Sequence, residues 1–375
     1  MKPALFLSLG IFPSPQARTA TEVRAGQNLA ALRALGYDVT VLTTPDPLGR
    51  PGPDFPTLFT RPLPVTNFVE FHAQWRYRRE VGRLINQNLA GGQSLLFCEH
   101  WAALACSPRG ARIIYSMHDF ESKLVPARRL RKGAPVTFKT RAYWRLARCL
   151  ELRLVNKARK VIAVSATEAD EAARVWRVPA VYIPTVSVAM EKPVRDFLDG
   201  AVRCWFYGSS SATSNKIVLD HLADGCFAAL KAAMPNAEFH QAGSFEHYDP
   251  GKIAWLKEHF TVHGFVEDPA QFFCRGDFCL IPYQQDTGFR TKIPEVCGYG
   301  MIAAGYPASF ACCPEMRDGY NCVIADSPTQ LAGKLAQVAA DPAWRRRLSE
   351  GAFATRCHEL SFSALLDRYR QALDF

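Results

Sequence analysis

The sequence lacks an apolar run long enough to cross a membrane. Such a helix needs about 20 consecutive apolar residues, whereas the apolar opening over residues 4–12 is followed at once by Pro13 and Pro15. The twelve cysteines form no C-x-x-C pair in a chain of 375 residues, so neither a disulfide framework nor a zinc ribbon is expected. The composition predicts a cytoplasmic protein with about two domains.

The common nucleotide-binding and hydrolase motifs are also missing. No G-x-G-x-x-G follows the first apolar strand, and neither G-x-x-x-x-G-K-[ST] nor G-x-S-x-G occurs, which removes the main support for a dinucleotide-binding enzyme, a P-loop NTPase or a serine hydrolase. The chain contains no Asp-x-Asp, and its histidines and cysteines show no zinc-ligand spacing. We therefore expect neither a bound metal nor a cofactor.

The net charge of +10 is concentrated in one segment. Residues 123–160 contain thirteen Lys or Arg and a single acid, Glu151, so the remainder of the chain carries 32 basic and 34 acidic residues. Apolar residues at three- and four-residue spacing within 137–155 predict an amphipathic helix with a basic face. The residues expected to supply apolar contact are Tyr143, Trp144 and Leu150. The basic face is either solvated while the helix packs on its own domain, or attracted to an anionic membrane surface. No nucleic-acid-binding module accompanies it, so no nucleic acid partner is expected.

Two series of strands and helices divide the chain. A strand–helix–strand pattern around a helix over 22–35 opens an α/β domain with a parallel sheet, which we assign to residues 1–184. A polar, proline-containing stretch over 185–199 predicts a linker. A second α/β domain occupies 200–361 and includes a helix over 216–234. The fold class is therefore α/β, with two Rossmann-like parallel-sheet domains facing a cleft.

The richest candidate site follows the strand that ends at Pro282. Gly288 permits a tight turn, and Pro294 marks the first turn of a helix. Arg290 and Lys292 lie between them, so cationic side chains and exposed amide groups converge where a diphosphate could be held without metal. Taken alone, the segment is better interpreted as an ordinary strand-to-helix loop with solvated Arg and Lys side chains.

This loop resembles the G-x-x-x-K-x-x-E-A-x-A-x-G signature of the retaining, GT-B-fold glycosyltransferases of family four. Its matching positions are Gly288, Lys292, Glu295 and Gly300. Four further segments resemble the family in the same order along the chain: Glu151 to Ser165, Phe206 to Ser209 with Asn215, His263 to Asp268, and Asp326 to Ser363. The resemblance covers nearly the whole chain. It implies GT-B architecture, with 1–184 on the acceptor side, 200–361 as the nucleotide-sugar donor domain and a last helix, 362–375, packed back on the first domain.

The resemblance also implies an activity. It is that of a hexosyltransferase-type glycosyltransferase, which moves a sugar from a nucleotide-diphosphate sugar to a glycan or lipid-linked glycan acceptor with retention and without metal. Such enzymes serve bacterial surface polysaccharide or lipopolysaccharide synthesis. If residues 123–160 meet an anionic membrane, the protein would lie in the cytoplasm as a peripheral protein on the inner face of the cytoplasmic membrane.

The roles implied by the resemblance fall on named positions. Arg290 and Lys292 would stabilise the charge that develops on the leaving diphosphate, and Glu295 would accept hydrogen bonds from the ribose hydroxyls. His118 would lie near the sugar, with His100 as its rival. The donor-binding candidates are Gly208, Ser209, Gly264, Phe265, Tyr283, Thr287, Gly288 and Phe289. The candidates on the acceptor side or phosphate side are Arg18 and Arg24.

Two departures from the family pattern affect the donor contacts. Thr287 stands where the family often has the first of two glutamates, and residues 209–211 are serines where many members have a basic residue. The alternatives are an inverting GT-B transferase or a nucleotide-sugar epimerase, either of which would need a general base at the anomeric carbon, a soluble small-molecule glycosyltransferase, and a binding protein without turnover.

Overall fold

The computed structural model describes residues 1–374 except Pro15, Arg18, Thr66, 90–94, 124–136, 188–200, His247 and 286–287. The chain divides into two compact units. Met1–Val188 and Phe362–Phe375 form the first unit, and Ala189–Ser361 form the second.

Among its described residues, the first unit has a sheet of seven parallel strands. They are β1 (Lys2–Ser8), β2 (Tyr37–Thr43), β3 (Thr57–Phe59), β4 (Leu95–Glu99), β5 (Arg112–Met117), β6 (Lys160–Ala163) and β7 (Ala180–Tyr182). Their order in the sheet is β3-β2-β1-β4-β5-β6-β7. The chain adds β2 and β3 on one side of β1 and the later strands on the other, so the strand order reverses between β1 and β4.

Helices cover the faces of this sheet. They are α1 (Ala20–Ala34), α2 (Phe68–Phe71), α3 (Trp75–Asn88), α4 (His100–Cys106), α5 (Phe138–Val155) and α6 (Ala166–Trp176). Local sequence sets their starts: the Thr19 side chain and Glu22 form a capping box at α1, and Ser165 accepts a hydrogen bond from the Glu168 amide at α6. Because both faces are covered, the central strands are almost wholly apolar, and Phe6 of β1 stacks on Phe97 of β4 with ring centroids 5.3 Å apart.

The second unit repeats this design, with six parallel strands in its described part. They are β8 (Arg203–Tyr207), β9 (Glu238–Ala242), β10 (Thr261–Val262), β11 (Phe278–Ile281), β12 (Ile302–Gly305) and β13 (Cys322–Ile324), in the order β10-β9-β8-β11-β12-β13. The helices are α7 (Thr213–His221), α8 (Phe227–Ala233), α9 (Pro250–His259), α10 (Lys292–Gly298), α11 (Pro307–Phe310), α12 (Pro328–Ala340) and α13 (Pro342–His358). Here the strand order reverses between β8 and β11. Both units are therefore parallel-sheet, Rossmann-like folds, as predicted.

One predicted helix is interrupted. The sequence pattern predicts a single helix over 216–234, but α7 and α8 are separated by a π-helical turn, Leu222–Cys226. Within this turn Gly225 has φ of +125° and Asp224 has ψ of +17°, neither of which is helical. Gly225 adopts this conformation without a Cβ clash. The apolar periodicity continues across the break, so the glycine is the one sequence feature that indicates it.

The last helix, α14 (Phe362–Leu373), packs in the first unit against α1, β6 and β7. Tyr369 is fully buried there, and Lys160 at the start of β6 donates to the carbonyl oxygen of Gln371 at 2.6 Å. Most of the predicted linker lies outside the described residues. Its first residues, Thr185 and Val186, are buried, and the Val186 amide donates to Gln27 Oε1 at 2.8 Å.

Candidate active site

The predicted donor loop leaves the second sheet at its strand-order reversal. β8 ends at Tyr207 and β11, its neighbour in the sheet, ends at Ile281. The segments that follow, 208–212 and 282–291, therefore start side by side at the carboxyl edge, and α10 begins immediately afterwards at Lys292. Ligands of open parallel sheets bind at this point of the topology.

Lys292 lies at the centre of this edge. Its Nζ donates to the carbonyl oxygen of Tyr207 at 2.5 Å and to Asn215 Oδ1 at 3.0 Å. Asn215, in the first turn of α7, donates in turn to the carbonyl oxygen of Ser209 at 2.9 Å. The lysine thus joins the end of β8 to α7 and fixes one positive charge at the carboxyl edge, so the structure places Asn215 among the site residues as well.

Glu295 lies one helical turn after Lys292 and is held by a tyrosine. Tyr207 Oη donates to Glu295 Oε1 at 3.1 Å. Burial is the main cause that raises the pKa of Tyr207 above its ordinary value, and the nearby Glu295 carboxylate raises it further. The phenol therefore keeps its proton and remains a hydrogen-bond donor. The hydrogen bond from Tyr207 orients the Glu295 carboxylate. Glu295 itself is only partly buried, so the oriented side chain remains partly accessible.

Two other residues of this loop, Arg290 and Tyr283, pack against each other. The Arg290 guanidinium carbon is 4.2 Å from the centroid of the Tyr283 ring, and Arg290 Nη2 donates to the carbonyl oxygen of Gln285 at 2.6 Å. Tyr283 is 4% exposed, and its hydroxyl donates to Asn215 Oδ1 at 2.9 Å. Lys292 Nζ also lies 5.4 Å from the same ring. The Tyr283 ring therefore lies within cation–π distance of both Arg290 and Lys292.

Two glycines bring the loops at this edge into direct backbone contact. Gly208 and Gly243 have φ of +147° and +118°, and the Gly208 amide donates to the carbonyl oxygen of Ala242 at 2.8 Å. A Cβ at Gly243 would lie 1.9 Å from the Gly208 carbonyl oxygen, and a Cβ at Gly208 would lie 2.5 Å from Asn215 Nδ2. Both positions therefore require glycine.

We expect Gly243→Ala to be strongly destabilising, since the clash is with backbone and the φ is positive. The loss should be about 2 kcal/mol or more, which lowers the melting temperature by roughly 4 °C or more. Gly333→Ala in α12 is the matched control, because its Cβ meets nothing within 4 Å and alanine favours a helix by up to about 1 kcal/mol. Calorimetry of the full chain compares them. An unchanged melting temperature in Gly243→Ala would contradict the close approach of Gly243 to the Gly208 carbonyl group.

The next segment along this edge presents an exposed aromatic ring. Gly264 has φ of +66°, and its carbonyl oxygen accepts from the Gly243 amide at 2.6 Å. Phe265 follows with its side chain 80% exposed. Behind them, His263 stacks on Trp205, with ring centroids 5.3 Å apart. The structure thus offers a ring that a flat ligand could stack on, carried by a loop anchored to Gly243.

The other donor candidates lie on the same two loops. Gly288 has φ of +64°, as its predicted turn requires, and Phe289 is partly buried. Ser209 is partly buried, with its hydroxyl 2.6 Å from that of Ser211. Two predicted site residues, Thr287 and Arg18, lie outside the described residues.

In the first unit the structure brings His118 and His100 together. They follow β5 and β4 directly, and their ring centroids are 5.5 Å apart. His118 Nε2 hydrogen-bonds Glu99 Oε1, the His118 side chain is 9% exposed and Glu99 is fully buried. The His100 side chain is 24% exposed. His118 is thus the more enclosed of the two.

Arg24 is buried and not at the surface. It is 1% exposed, its Nη1 donates to the carbonyl oxygen of Ile183 at 2.8 Å, and its Nε lies 3.5 Å from Ser116 Oγ. Its hydrogen bond to Ile183 therefore links α1 to the residues that follow β7. It presents almost no surface to an acceptor, in contrast to the predicted role.

The sequence reasoning missed the polar network around Glu99. Asn28 Nδ2 donates to Glu99 Oε2 at 2.6 Å and to Ser116 Oγ at 3.0 Å, and Ser116 Oγ donates to Glu99 Oε1 at 3.2 Å. Tyr369 of α14 donates to Asn28 Oδ1. A signal was present, because Glu99 is a carboxylate at the end of an otherwise apolar buried strand, and buried carboxylates are rare unless paired.

The basic helix α5 exposes a different apolar set from the one predicted. Tyr143, Trp144 and Leu150 are only partly exposed, and Tyr143 Oη donates to Asn67 Oδ1 at 2.8 Å. The large apolar side chains that α5 exposes are Phe138 (84%), Leu146 (48%) and Leu152 (39%). They are interspersed with five exposed cations, Lys139, Arg141, Arg145, Arg148 and Arg153. Glu151 is 5% exposed and accepts from the Glu121 amide at 2.7 Å, so the only acid of this helix points inward. We call these three large apolar residues and five cations the α5 face.

Within the described ranges, no helix is both long enough and apolar enough to cross a bilayer. The same residues contain no group of three or more His, Cys, Asp or Glu side chains arranged to hold a metal ion. The cysteines are free, with Cys149 exposed, Cys357 partly exposed and the others buried.

Two family models match the chain. Residues 19–188 match the glycosyl transferase 4-like domain, and residues 202–341 match the glycosyl transferases group 1 domain. Together with two parallel-sheet units whose second strand-order reversal carries Lys292 and Glu295, these matches define a GT-B-fold glycosyltransferase. The chain belongs to the group 1 glycosyltransferases, with a first domain of the glycosyl transferase 4-like type.

Solved structures share this architecture at low sequence identity. A sucrose-phosphate synthase from Thermosynechococcus elongatus is 15% identical, with a TM-score of 0.71 over 99% of this chain and 98% of that one. The HepE protein of Anabaena in complex with UDP and glucose is 14% identical, with a TM-score of 0.66 over 100% and 99%. WaaG, a glycosyltransferase involved in lipopolysaccharide biosynthesis, is 12% identical, with a TM-score of 0.62 over 99% and 100%. Among curated protein sequences, none matches the chain.

Proposed function

We propose that this protein transfers a sugar from a nucleotide-diphosphate sugar to a glycan or lipid-linked glycan acceptor, with retention and without a metal ion. The second unit binds the donor and the first unit serves the acceptor. The observation that carries the proposal is the fixed pair of cations, Lys292 and Arg290, at the strand-order reversal of the second unit.

The chemistry requires positive charge at this place. Breaking the bond between a sugar and a diphosphate leaves negative charge on the phosphate oxygens, and a preorganised cation stabilises that charge more than it stabilises the intact donor. Lys292 is preorganised by its bonds to Tyr207 and Asn215. Arg290 is held over Tyr283 and bonded to Gln285. Neither cation has to be ordered when the donor binds.

The remaining contacts suit a nucleoside. Glu295, oriented by Tyr207, can accept hydrogen bonds from both ribose hydroxyls. Phe265 is exposed beside Gly264, where an aromatic ring can stack on a base. Because the HepE structure holds UDP and glucose, UDP is the first nucleoside diphosphate to test for this chain.

The test is nucleotide release. UDP-, GDP- and ADP-sugars are incubated with the protein in excess chelator, and the free nucleoside diphosphate is quantified. With water as the acceptor, we expect one donor to be hydrolysed at the same rate with and without chelator. NMR of the released sugar, recorded before it mutarotates, should show the α anomer that retention from an α-linked donor gives. An inverted product would support the inverting alternative, and loss of turnover in chelator would contradict metal independence.

We further propose that the α5 face holds the protein at an anionic leaflet, at the inner side of the cytoplasmic membrane, in surface polysaccharide or lipopolysaccharide synthesis. Five exposed cations lie on it, and within the described part of the chain no carboxylate pairs with any of them. Each basic residue near such a surface contributes about 1 kcal/mol. Phe138, Leu146 and Leu152 can enter the headgroup region.

We expect binding to vesicles containing anionic lipid at low salt, with steep loss as salt rises, because exposed charges are screened beyond about 8 Å at physiological ionic strength. The double variant Arg145→Glu/Arg148→Glu should abolish this binding. Arg174→Glu/Lys257→Glu, two exposed cations on other helices, makes the same change in net charge and should bind normally. Co-sedimentation across a salt series measures both. Equal loss in the two double variants, or no binding by the wild type, would remove the membrane role.

A further inference from the structure

The backbone at His100 is strained. Of the residues that the structure describes, only His100 and Arg177 combine a side chain with a positive φ, at +70° and +57°. Arg177 has a structural reason, because it ends α6 as a left-handed C-cap. His100 is the first residue of α4 and directly follows β4, and the start of a helix, unlike its end, does not call for a left-handed residue. Glycine or asparagine would adopt this conformation at lower cost.

The position of His100 in the sheet is also distinctive. It directly follows β4, the strand that adjoins β1 at the strand-order reversal of the first sheet. This is the counterpart, in the first unit, of the edge that carries Lys292 in the second. Side chains that leave a parallel sheet here are placed to meet a ligand.

The surroundings of His100 hold its ring in place. The ring packs beside Trp101, with centroids 5.0 Å apart, and edge-on to His118. His100 Nε2 lies 3.8 Å from Glu121 Oε1. The Glu121 backbone is itself fixed, because its amide donates to the buried Glu151 carboxylate. The imidazole is therefore oriented on several sides while about a quarter of the side chain remains exposed.

His118 has the opposite character. Its Nε2 is engaged by Glu99, and its side chain is 9% exposed. We infer that His100, and not His118, is the histidine of the first unit that contacts the acceptor and positions its attacking hydroxyl, while His118 is a positioning residue behind it. Strained residues persist where the surrounding structure holds them for a function. The inference rests on the proposed transferase activity and adds the residue that serves the acceptor.

The test uses water as the acceptor, so that no acceptor has to be known. Hydrolysis of UDP-glucose, GDP-mannose and ADP-glucose by the full chain is followed as release of nucleoside diphosphate. For the donor that turns over, His100→Gly should lower kcat about tenfold or more and leave the donor KM unchanged, as loss of an interaction made at the reacting hydroxyl requires. The melting temperature of His100→Gly should equal or exceed that of the wild type, because glycine adopts a positive φ without strain. His100→Ala should melt at a lower temperature than His100→Gly, because alanine is strained at a positive φ.

Arg177→Gly is the matched control, since it relieves the same kind of strain at a helix end. It should raise or maintain the melting temperature with kcat unchanged. An unchanged kcat in His100→Gly, or a raised donor KM with kcat intact, would overturn the inference while leaving donor turnover by the wild type intact. If the wild type hydrolyses none of the donors, the inference fails, and if it also binds none of their nucleoside diphosphates, the proposed function fails with it.

Discussion

Replacing Lys292 with alanine should reduce turnover about a hundredfold or more, the cost of losing one preorganised charge or donor at a transition state. The side chain provides a fixed ammonium at the strand-order reversal, 2.5 Å from the Tyr207 carbonyl oxygen and 3.0 Å from Asn215 Oδ1. Because the charge on the leaving diphosphate develops during the reaction, kcat should fall more than donor affinity does.

The control for Lys292→Ala is a lysine with similar bonds and no proposed part in the reaction. Lys334 Nζ donates to Asp318 Oδ2 at 2.7 Å and to the carbonyl oxygen of Ile324 at 2.5 Å, so Lys334→Ala removes one side-chain and one backbone partner, as Lys292→Ala does. Steady-state kinetics should show full turnover for Lys334→Ala. Full turnover in Lys292→Ala as well, with the protein folded, would show that the donor site is wrongly placed.

Glu99→Leu should be the most destabilising of the substitutions considered in the first unit. The carboxylate is fully buried and bonded to His118, Asn28 and Ser116. Leucine would leave these polar partners without their acceptor, and each buried unsatisfied group costs about 1–3 kcal/mol. A total near 3 kcal/mol corresponds to a fall in melting temperature of roughly 6–12 °C for a unit of this size.

Glu99→Gln separates the hydrogen bonds from the charge. The glutamine carbonyl oxygen can still accept from Asn28, the Ser116 hydroxyl can rotate, and neutral His118 can accept through its ring nitrogen. We expect a loss less than half that of Glu99→Leu. Differential scanning calorimetry compares the two variants. Equal melting temperatures for Glu99→Leu and the wild type would show that the network contributes no stability.

The sequence predicts the layers of this fold better than its breaks. Apolar strand segments and the capping residues Thr19 and Ser165 are local signals, and they correctly indicate two parallel-sheet units. The break at Gly225 is set by one backbone conformation within a continuous apolar pattern. The sequence pattern also leaves open which large apolar residues of α5 are most exposed, because helical spacing gives the angle between residues and not which neighbours cover them.

The candidate sites differ in the same way. Lys292, Arg290 and Glu295 are near in sequence and follow a strand, so a motif suffices to single them out. The network of Glu99, Asn28 and Tyr369 joins β4, α1 and α14, which are up to 341 positions apart in the chain. Contacts at that separation depend on the sheet order and on which side chains face each other, and local sequence patterns give neither.

The most direct test of the donor site is calorimetric titration of the full chain with UDP, GDP and ADP in excess chelator, repeated with Lys292→Ala. We predict that one of these diphosphates binds with one-to-one stoichiometry in the absence of divalent metal. Its binding should weaken in Lys292→Ala and stay unchanged in Lys334→Ala. Binding that appears only when magnesium is added, or no binding of any of the three, would contradict a metal-independent diphosphate site at the end of β8.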